Sequence, residues 1–329
     1  MPDLFLDKSA VIGAGLMGGQ IALILALGSK RTSLMSRKQA SLDAAAVSLR
    51  RYADDLHRHD ALNGESPGAV LSRIHTTTDL TAALDGSAFV VESITEDLEA
   101  KQDLFATMVD QAPDALLASN TSGLPITQLA AKSSDGSRIA GSHFVQPAHI
   151  VPVVEIIRGD ATSDETMDRV TDIWRGLGRF PIRVERDIPG FLVNRLQHAV
   201  IREAVTLLAS GVARAEDIDA AFQLGLAPRF TTAGPLQQRD INGLKMHVKV
   251  AGHLWQTLDG WKEPLAYLQE MVERGDIGLA SGKGYYDWAG QDPDSVRSDK
   301  DAQLLERTAQ VMADWAAEQE KRSRSGRER

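Results

Sequence analysis

The chain has 329 residues, no cysteine and a formal net charge of −9, with 43% hydrophobic and 25% charged residues. That length accommodates two domains with a substantial core, and the composition is that of an ordinary globular protein. The absence of cysteine excludes disulfides, thiolate metal sites and cysteine nucleophiles, and the negative charge argues against general nucleic-acid binding, which needs a basic face. No apolar run approaches the roughly 18 residues of a membrane span. The polar start at residues 1–8 does not read as a secretion signal, so a cytoplasmic protein is expected.

In chain order, residues 9–12 read as a short strand and residues 19–28 as an apolar helix, with a glycine-rich turn between them. A second strand is expected at 32–35, followed by a helix over 42–56 with a charged outer face. Short apolar runs follow at 88–92 (AFVVE), 115–119 (ALLAS) and 139–145 (IAGSHFV), separated by helical stretches such as 98–109. Strands alternating with helices predict a doubly wound parallel sheet. After runs at 153–157 and 180–184, the segment ERDIPG at 185–190 punctuates the chain. From there the pattern is helical, over 192–209, 216–224, 244–258 and 264–274. The expected fold is therefore α/β, with a Rossmann-type doubly wound domain over 1–187 and an all-α domain over 188–329. The basic tail, from about 318 to 329, is expected to be solvated and disordered.

In Gly13-Ala14-Gly15-Leu16-Met17-Gly18 the first glycine permits a tight turn, the second lets the backbone approach a pyrophosphate, and the third allows close helix–strand packing. The helix N-terminus, at Leu16 and Met17, then offers N–H groups and a positive dipole end to phosphates. An NAD site usually places a carboxylate about 20 residues further on, bonded to the ribose hydroxyls. Here that position offers Ser36, followed by Arg37 and Lys38. A hydroxyl and a guanidinium suit a 2′-phosphate, so the charge pattern favours NADP(H) over NAD(H). The alternative reading makes Arg37 and Lys38 plain surface residues.

Four later segments complete a pattern: VVESITEDLEAKQDLF at 90–105, ASNTSGLPI at 118–126, GSHFVQPAHIVPVVEII at 141–157 and IPGFLVNRL at 188–196. With GAGLMG, and in this order, they resemble the 3-hydroxyacyl-CoA dehydrogenase superfamily from about residue 9 to residue 288. The resemblance implies a nicotinamide-dependent oxidoreductase that interconverts 3-hydroxy and 3-oxo groups, with a helical C-terminal domain forming a homodimer interface. His143 is implied as general acid/base with Glu155 as its partner, and Ser122 and Asn194 as hydrogen-bonding partners of the substrate oxygen. Glu92, Glu96, Lys101 and Asn120 are implied on the cofactor side.

Physical chemistry supports the pairing independently. Oxidation of an alcohol needs a base beside the carbon that loses hydride, and histidine titrates near working pH. If 141–145 and 151–157 form an antiparallel hairpin with a register centred on His149, His143 lies opposite Glu155, with Cβ atoms about 5 Å apart. Plainer readings stay open for the other residues. Ser122 fits turn chemistry in NTSG, Asn194 a helix-surface amide, and Lys101 a solvated helix position. His57 and His59 read as surface residues, His247 and His253 have no evident carboxylate partner, and no metal is assigned.

Some features bear on substrate. Gln146 stands where acyl-CoA enzymes carry an asparagine, and GLAPRFTTAGPL at 225–236 resembles the gulonate, lambda-crystallin and carnitine dehydrogenase branch, whose substrates are free acids. VNRLQHAVIREA at 193–204 points the same way, whereas SGKGYYDW at 281–288 resembles the acyl-CoA branch. Arg229 is a candidate clamp for a substrate carboxylate, or else a partner in a surface ion pair. A reductase of 3-oxoacyl or polyketide-like intermediates and a non-catalytic, crystallin-like nucleotide binder are the further alternatives.

Overall fold

The computed structural model describes residues 5–260 and 265–327. Its N-terminal part is one eight-stranded sheet in the order β3-β2-β1-β4-β5-β6-β7-β8. The strands are β1 (Leu6–Ile12), β2 (Ser29–Met35), β3 (Ile74–Thr77), β4 (Phe89–Glu92), β5 (Leu116–Ser119), β6 (Ile139–Phe144), β7 (Val153–Ile157) and β8 (Phe180–Val184). All adjacent pairs run parallel except β6 with β7, which is antiparallel. The strand order reverses direction at β1, which lies between β2 and β4, and the crevice at the carboxyl ends of such strands is where doubly wound folds bind ligands.

Two apolar clusters cover the faces of this sheet. Helix α1 (Leu16–Ala26) is apolar on all sides and buried from Gly18 to Ala26, as a helix enclosed by other elements must be. Helix α2 (Gln39–Arg58) instead buries one stripe, Leu42, Ala45, Leu49, Tyr52, Ala53 and Leu56, and leaves its charges outside. Next come α3 (Pro67–Leu71), α4 (Leu80–Leu84), α5 (Leu98–Gln111), α6 (Ile126–Leu129) and α7 (Asp164–Gly176). Ser66, Asp79, Asp97 and Ser163 cap α3, α4, α5 and α7 through their side-chain oxygens, satisfying N–H groups that have no intrahelical partner.

The helical part contains α8 (Val193–Ala209), α9 (Ala215–Ala220), α10 (Ala227–Thr232), α11 (Pro235–Asn242), α12 (Leu244–Leu254) and α13 (Ala266–Glu273), and the chain ends in the long α14 (Pro293–Arg327). The mixed α/β sheet followed by a helical region is thus the observed fold class. The chain divides into two compact units: the residues up to Asn194 with Asp301–Met312, and Arg195–Lys300 with the remainder of α14. The first unit therefore runs a few residues beyond the expected boundary at 187, and it takes in the stretch of α14 where Leu305 is buried in the first unit's core.

Several element limits differ from the sequence expectation. β1 begins at Leu6 and β2 at Ser29, earlier than residues 9 and 32, and at the start of β2 the Oγ of buried Ser29 lies 2.9 Å from Ser9 Oγ, itself 3.1 Å from Thr32 Oγ1. Strand β3 carries no apolar run and was not anticipated. The expected helix over 216–224 is α9, followed by a wider helical turn over 221–226 and then α10 with Pro228 in its first turn. Helix α12 ends at Leu254 instead of 258. The expected start of α13 at Pro264 lies outside the described residues. The basic tail expected to be disordered is helical to Arg327, continuing from Ala316, Ala317, Glu318, Gln319 and Glu320, all suited to a helix.

Candidate active site

The glycine turn has the geometry that a dinucleotide requires. Gly13 has φ of 118°, and a Cβ there would lie 2.3 Å from the Ser93 carbonyl oxygen, while a Cβ on Gly18 would lie 1.8 Å from the Gly13 carbonyl oxygen. Both must be glycine for helix and strands to approach this closely. A Cβ on Gly15, by contrast, would meet nothing within 4 Å, so the backbone there opens onto free space. Helix α1 has no side-chain cap, and its first bond runs from Gly19 N–H to the Gly15 carbonyl at 3.0 Å. The N–H groups of Leu16 and Met17 therefore precede the helical ladder and face that space, a fit for an anionic phosphate.

At the end of β2, Ser36 is half-buried and its Oγ accepts from Lys38 N–H at 3.4 Å, and Arg37 and Lys38 are exposed. Ser36 N–H donates to the Thr77 carbonyl at 3.2 Å, which fixes this corner against β3.

β6 and β7 pair with His143 directly opposite Glu155, the register expected from the spacing about His149. Both side chains are buried, and His143 Nδ1 lies 2.7 Å from Glu155 Oε2. The other carboxylate oxygen, Oε1, accepts the peptide N–H of Leu192 at 2.7 Å and of Val193 at 3.0 Å. Burial acts to raise the Glu155 pKa, but hydrogen bonds from His143, Val193 and Leu192 outweigh it and hold the carboxyl below its ordinary value. The Phe191 ring is fully buried, with its centroid 5.5 Å from that of His143.

Glu96 gathers the Ser122 loop. Its Oε1 accepts Thr121 Oγ1–H at 2.6 Å, Ser122 N–H at 2.9 Å and Ser122 Oγ–H at 3.1 Å. Burial works to raise its pKa, and the bonds from Thr121 and Ser122 together with the Lys101 charge bring it below the ordinary value. Lys101 is not a solvated helix residue. It is 1% exposed, with Nζ 2.5 Å from Glu92 Oε1 and 3.4 Å from Glu96 Oε2. Glu92 is fully buried at the end of β4 and also accepts Ser119 Oγ–H at 2.6 Å and Ile94 N–H at 2.7 Å. Asn120 uses its carboxamide internally, accepting Phe144 N–H at 3.0 Å and donating to Ser93 Oγ at 3.3 Å. Asn194 Nδ2 donates to the Ser122 carbonyl at 2.9 Å.

His143, Glu155, Ser122, Asn194, Glu96, Lys101 and Asn120 thus form one connected region at the carboxyl ends of β4, β5 and β6. Arg229 lies exposed on α10 in the second unit. Sequence reasoning missed the buried anchor role of Glu92 and the packing of Phe191. The signal for the first is a glutamate closing an otherwise apolar strand, FVVE; for the second it is an aromatic residue directly after Pro-Gly. No helix among the described residues is long and apolar enough to cross a membrane.

Residues 8–188 match the family model described as the NAD binding domain of 3-hydroxyacyl-CoA dehydrogenase, and residues 190–288 match that of its C-terminal domain. A probable 3-hydroxybutyryl-CoA dehydrogenase of Deinococcus radiodurans is 38% identical over 281 residues, covering 85% of this chain and 99% of that protein. The 5-formyl-3-hydroxy-2-methylpyridine 4-carboxylate 5-dehydrogenase of Mesorhizobium japonicum is 30% identical over 299 residues, covering 90% and 95%. A crystal structure of an enzyme with that activity, described as an NAD+-dependent dismutase, superposes with a TM-score of 0.85 at 28% identity, covering 94% of this chain and 99% of that one. The chain belongs to the 3-hydroxyacyl-CoA dehydrogenase family of oxidoreductases, with an NAD-binding Rossmann domain followed by the family's C-terminal domain.

Proposed function

We propose that this protein interconverts a 3-hydroxy and a 3-oxo group of an acyl-CoA-like substrate, with His143 as the general acid/base. The observation that carries this reading is the buried His143–Glu155 pair at 2.7 Å, with His143 near the carboxyl end of β6. Gly13, Gly15, Leu16, Met17 and Gly18 would hold the dinucleotide phosphates. When bound, the nicotinamide supplies the hydride acceptor or donor. In oxidation the imidazole takes the hydroxyl proton, and the Glu155 carboxylate stabilises the resulting imidazolium; in reduction the same proton returns to the carbonyl oxygen. Ser122, held by Glu96, and Asn194, held by the Ser122 carbonyl, orient the substrate oxygen. Lys101 and Glu96 border the cofactor side, with Asn120 fixing the end of β6.

The test is His143→Ala at saturating cofactor, for which turnover falls by about 10²–10⁴-fold, the range of a general acid/base. Unchanged turnover would remove the reading.

The cofactor is NADP(H) in this reading, because Ser36, Arg37 and Lys38 offer a hydroxyl and two cations, and no carboxylate, where a ribose 2′-phosphate would lie. A second substrate reading, a free hydroxy acid, is favoured by the Mesorhizobium relative, whose name gives a pyridine carboxylate as its substrate. In that case Arg229 becomes a carboxylate clamp. A paired screen of acyl-CoA esters and free 3-hydroxy acids with both nicotinamides separates the two. The protein acts as a homodimer in this reading, since the helical unit exposes Leu224, Leu236, Val248 and Trp255 by 80%, 83%, 70% and 65%.

A further inference from the structure

We infer that the turn at Phe191–Val193 decides which nitrogen of His143 carries the proton, by committing one Glu155 oxygen to two peptide donors. The inference rests on the proposed role of His143 as base. A base needs a free lone pair toward the substrate, so with Nδ1 bound to Glu155 the proton must sit on Nδ1 and leave Nε2 open. That arrangement holds only while Glu155 is an anion that accepts. Were Glu155 to become protonated, it would donate to Nδ1, the imidazole proton would move to Nε2, and the base would be lost.

Glu155 is fully buried, a location that by itself favours its neutral form. The N–H groups of Leu192 and Val193, at 2.7 and 3.0 Å from Oε1, oppose this. They point at the carboxylate because the chain turns sharply just before them. Gly190 has φ of 76° and Phe191 φ of 48°, the latter in the left-handed region, which is strained for a bulky residue. Complete burial of the Phe191 ring against His143 holds it there. The groups facing Glu155 are few. From β6 there is His143, and from the start of α8 the two peptide N–H groups. On β8 Ile182 lies in register with Glu155, and its neighbour Arg183 is paired instead with Asp168 and Glu185. Phe191 is thus a positioning residue, acting on His143 through the peptide groups that follow it.

The experiment is 15N chemical-shift measurement on the imidazole of His143 in the full-length protein without substrate, for wild type, Glu155→Gln and Val193→Pro, with His143→Ala used for assignment. Wild type shows the Nδ1–H tautomer. In Glu155→Gln the side chain has one oxygen, and the two peptide donors claim it, so its NH₂ faces Nδ1 and the proton moves to Nε2. Val193→Pro removes one donor at the first position of α8, where proline is tolerated. The Nδ1–H signal then gives way partly to Nε2–H, and the acid limb of the pH–rate profile for oxidation moves up by about one unit, the size of one charge-assisted hydrogen bond. Val193→Ala keeps the N–H and leaves both readouts at wild type. Retention of the Nδ1–H tautomer in Glu155→Gln would overturn the inference, and that variant decides alone if Val193→Pro does not fold. The tautomer is read without turnover, so a failure of His143 as the catalytic base, seen in His143→Ala kinetics, is a separate result.

Discussion

The two units of this chain solve burial in different ways. In the first, an eight-stranded sheet is covered on both faces, and buried charged groups are held in bonded clusters: Glu92 with Lys101 and Ser119, and Glu155 with His143 and two peptide groups. In the second, only Val205, Gln238, Ala251 and Met271 between residues 195 and 300 are buried among the described residues, and large apolar side chains lie exposed on α11 and α12. A doubly wound sheet encloses a core by its own topology, whereas a set of short helices needs cover from elsewhere. The candidate site residues His143, Glu155, Ser122 and Asn194 all lie in the first unit.

The largest test of that contrast is Lys101→Met. It leaves Glu92 as an uncompensated charge in the core and costs about 3–5 kcal/mol in urea unfolding. A cost below about 1 kcal/mol would mean this cluster is not what holds the first unit's site together.

Next is the pH dependence set by His149, which is buried, stacked on Tyr52 at 4.4 Å, and has its Nδ1 unpartnered among the described residues. Burial, then the charges of Arg179 and Arg51, lower its pKa to about 4. The unfolded chain takes up a proton here below the ordinary value of 6.5 that the folded chain refuses until about 4. Stability therefore falls as pH drops through this window, by up to about 3 kcal/mol at one pKa unit per 1.36 kcal/mol. His149→Phe, which keeps the aromatic stack, flattens that slope in urea titrations between these limits; an unchanged slope assigns it to other groups.

The second unit is probed by Val248→Asp on α12. If a second copy covers this face, the variant raises the dimer dissociation constant by about tenfold or more, read by light scattering across a dilution series. An uncovered face would tolerate the change within about 0.5 kcal/mol. The smallest effect concerns the cofactor: Arg37→Ala reduces the preference for NADP(H) over NAD(H) by about tenfold in kcat/KM, the loss of one charge-assisted contact to phosphate. No change would show that this arginine does not read the 2′-position.

Much of the first unit was legible because its signals are local. The turn GAGLMG carries its own signal in the close approach of Gly18 to Gly13, five residues apart, whereas the contact of Gly13 with Ser93 comes from a distant strand end. The His143–Glu155 register follows from a short hairpin whose pairing is fixed by parity. Lys101 was ambiguous for the opposite reason, since nothing in α5 tells a solvated lysine from one whose partner closes a neighbouring strand. The early parts of β1 and β2, Leu6-Asp7-Lys8 and Ser29-Lys30-Arg31, were missed because polar and charged residues predominate there and leave no apolar run to read.

By itself the sequence determined the alternation of strands and helices apart from β3, the glycine turn and the opposition of His143 to Glu155, because each depends on side-chain type at short separation. Tertiary structure alone decided the rest. Glu155 meets the peptide N–H groups of Leu192 and Val193 only when residues far apart in the chain are brought together. Every residue but proline carries a backbone N–H, so no residue type announces that contact. The fold supplies it by turning the chain through a left-handed Phe191.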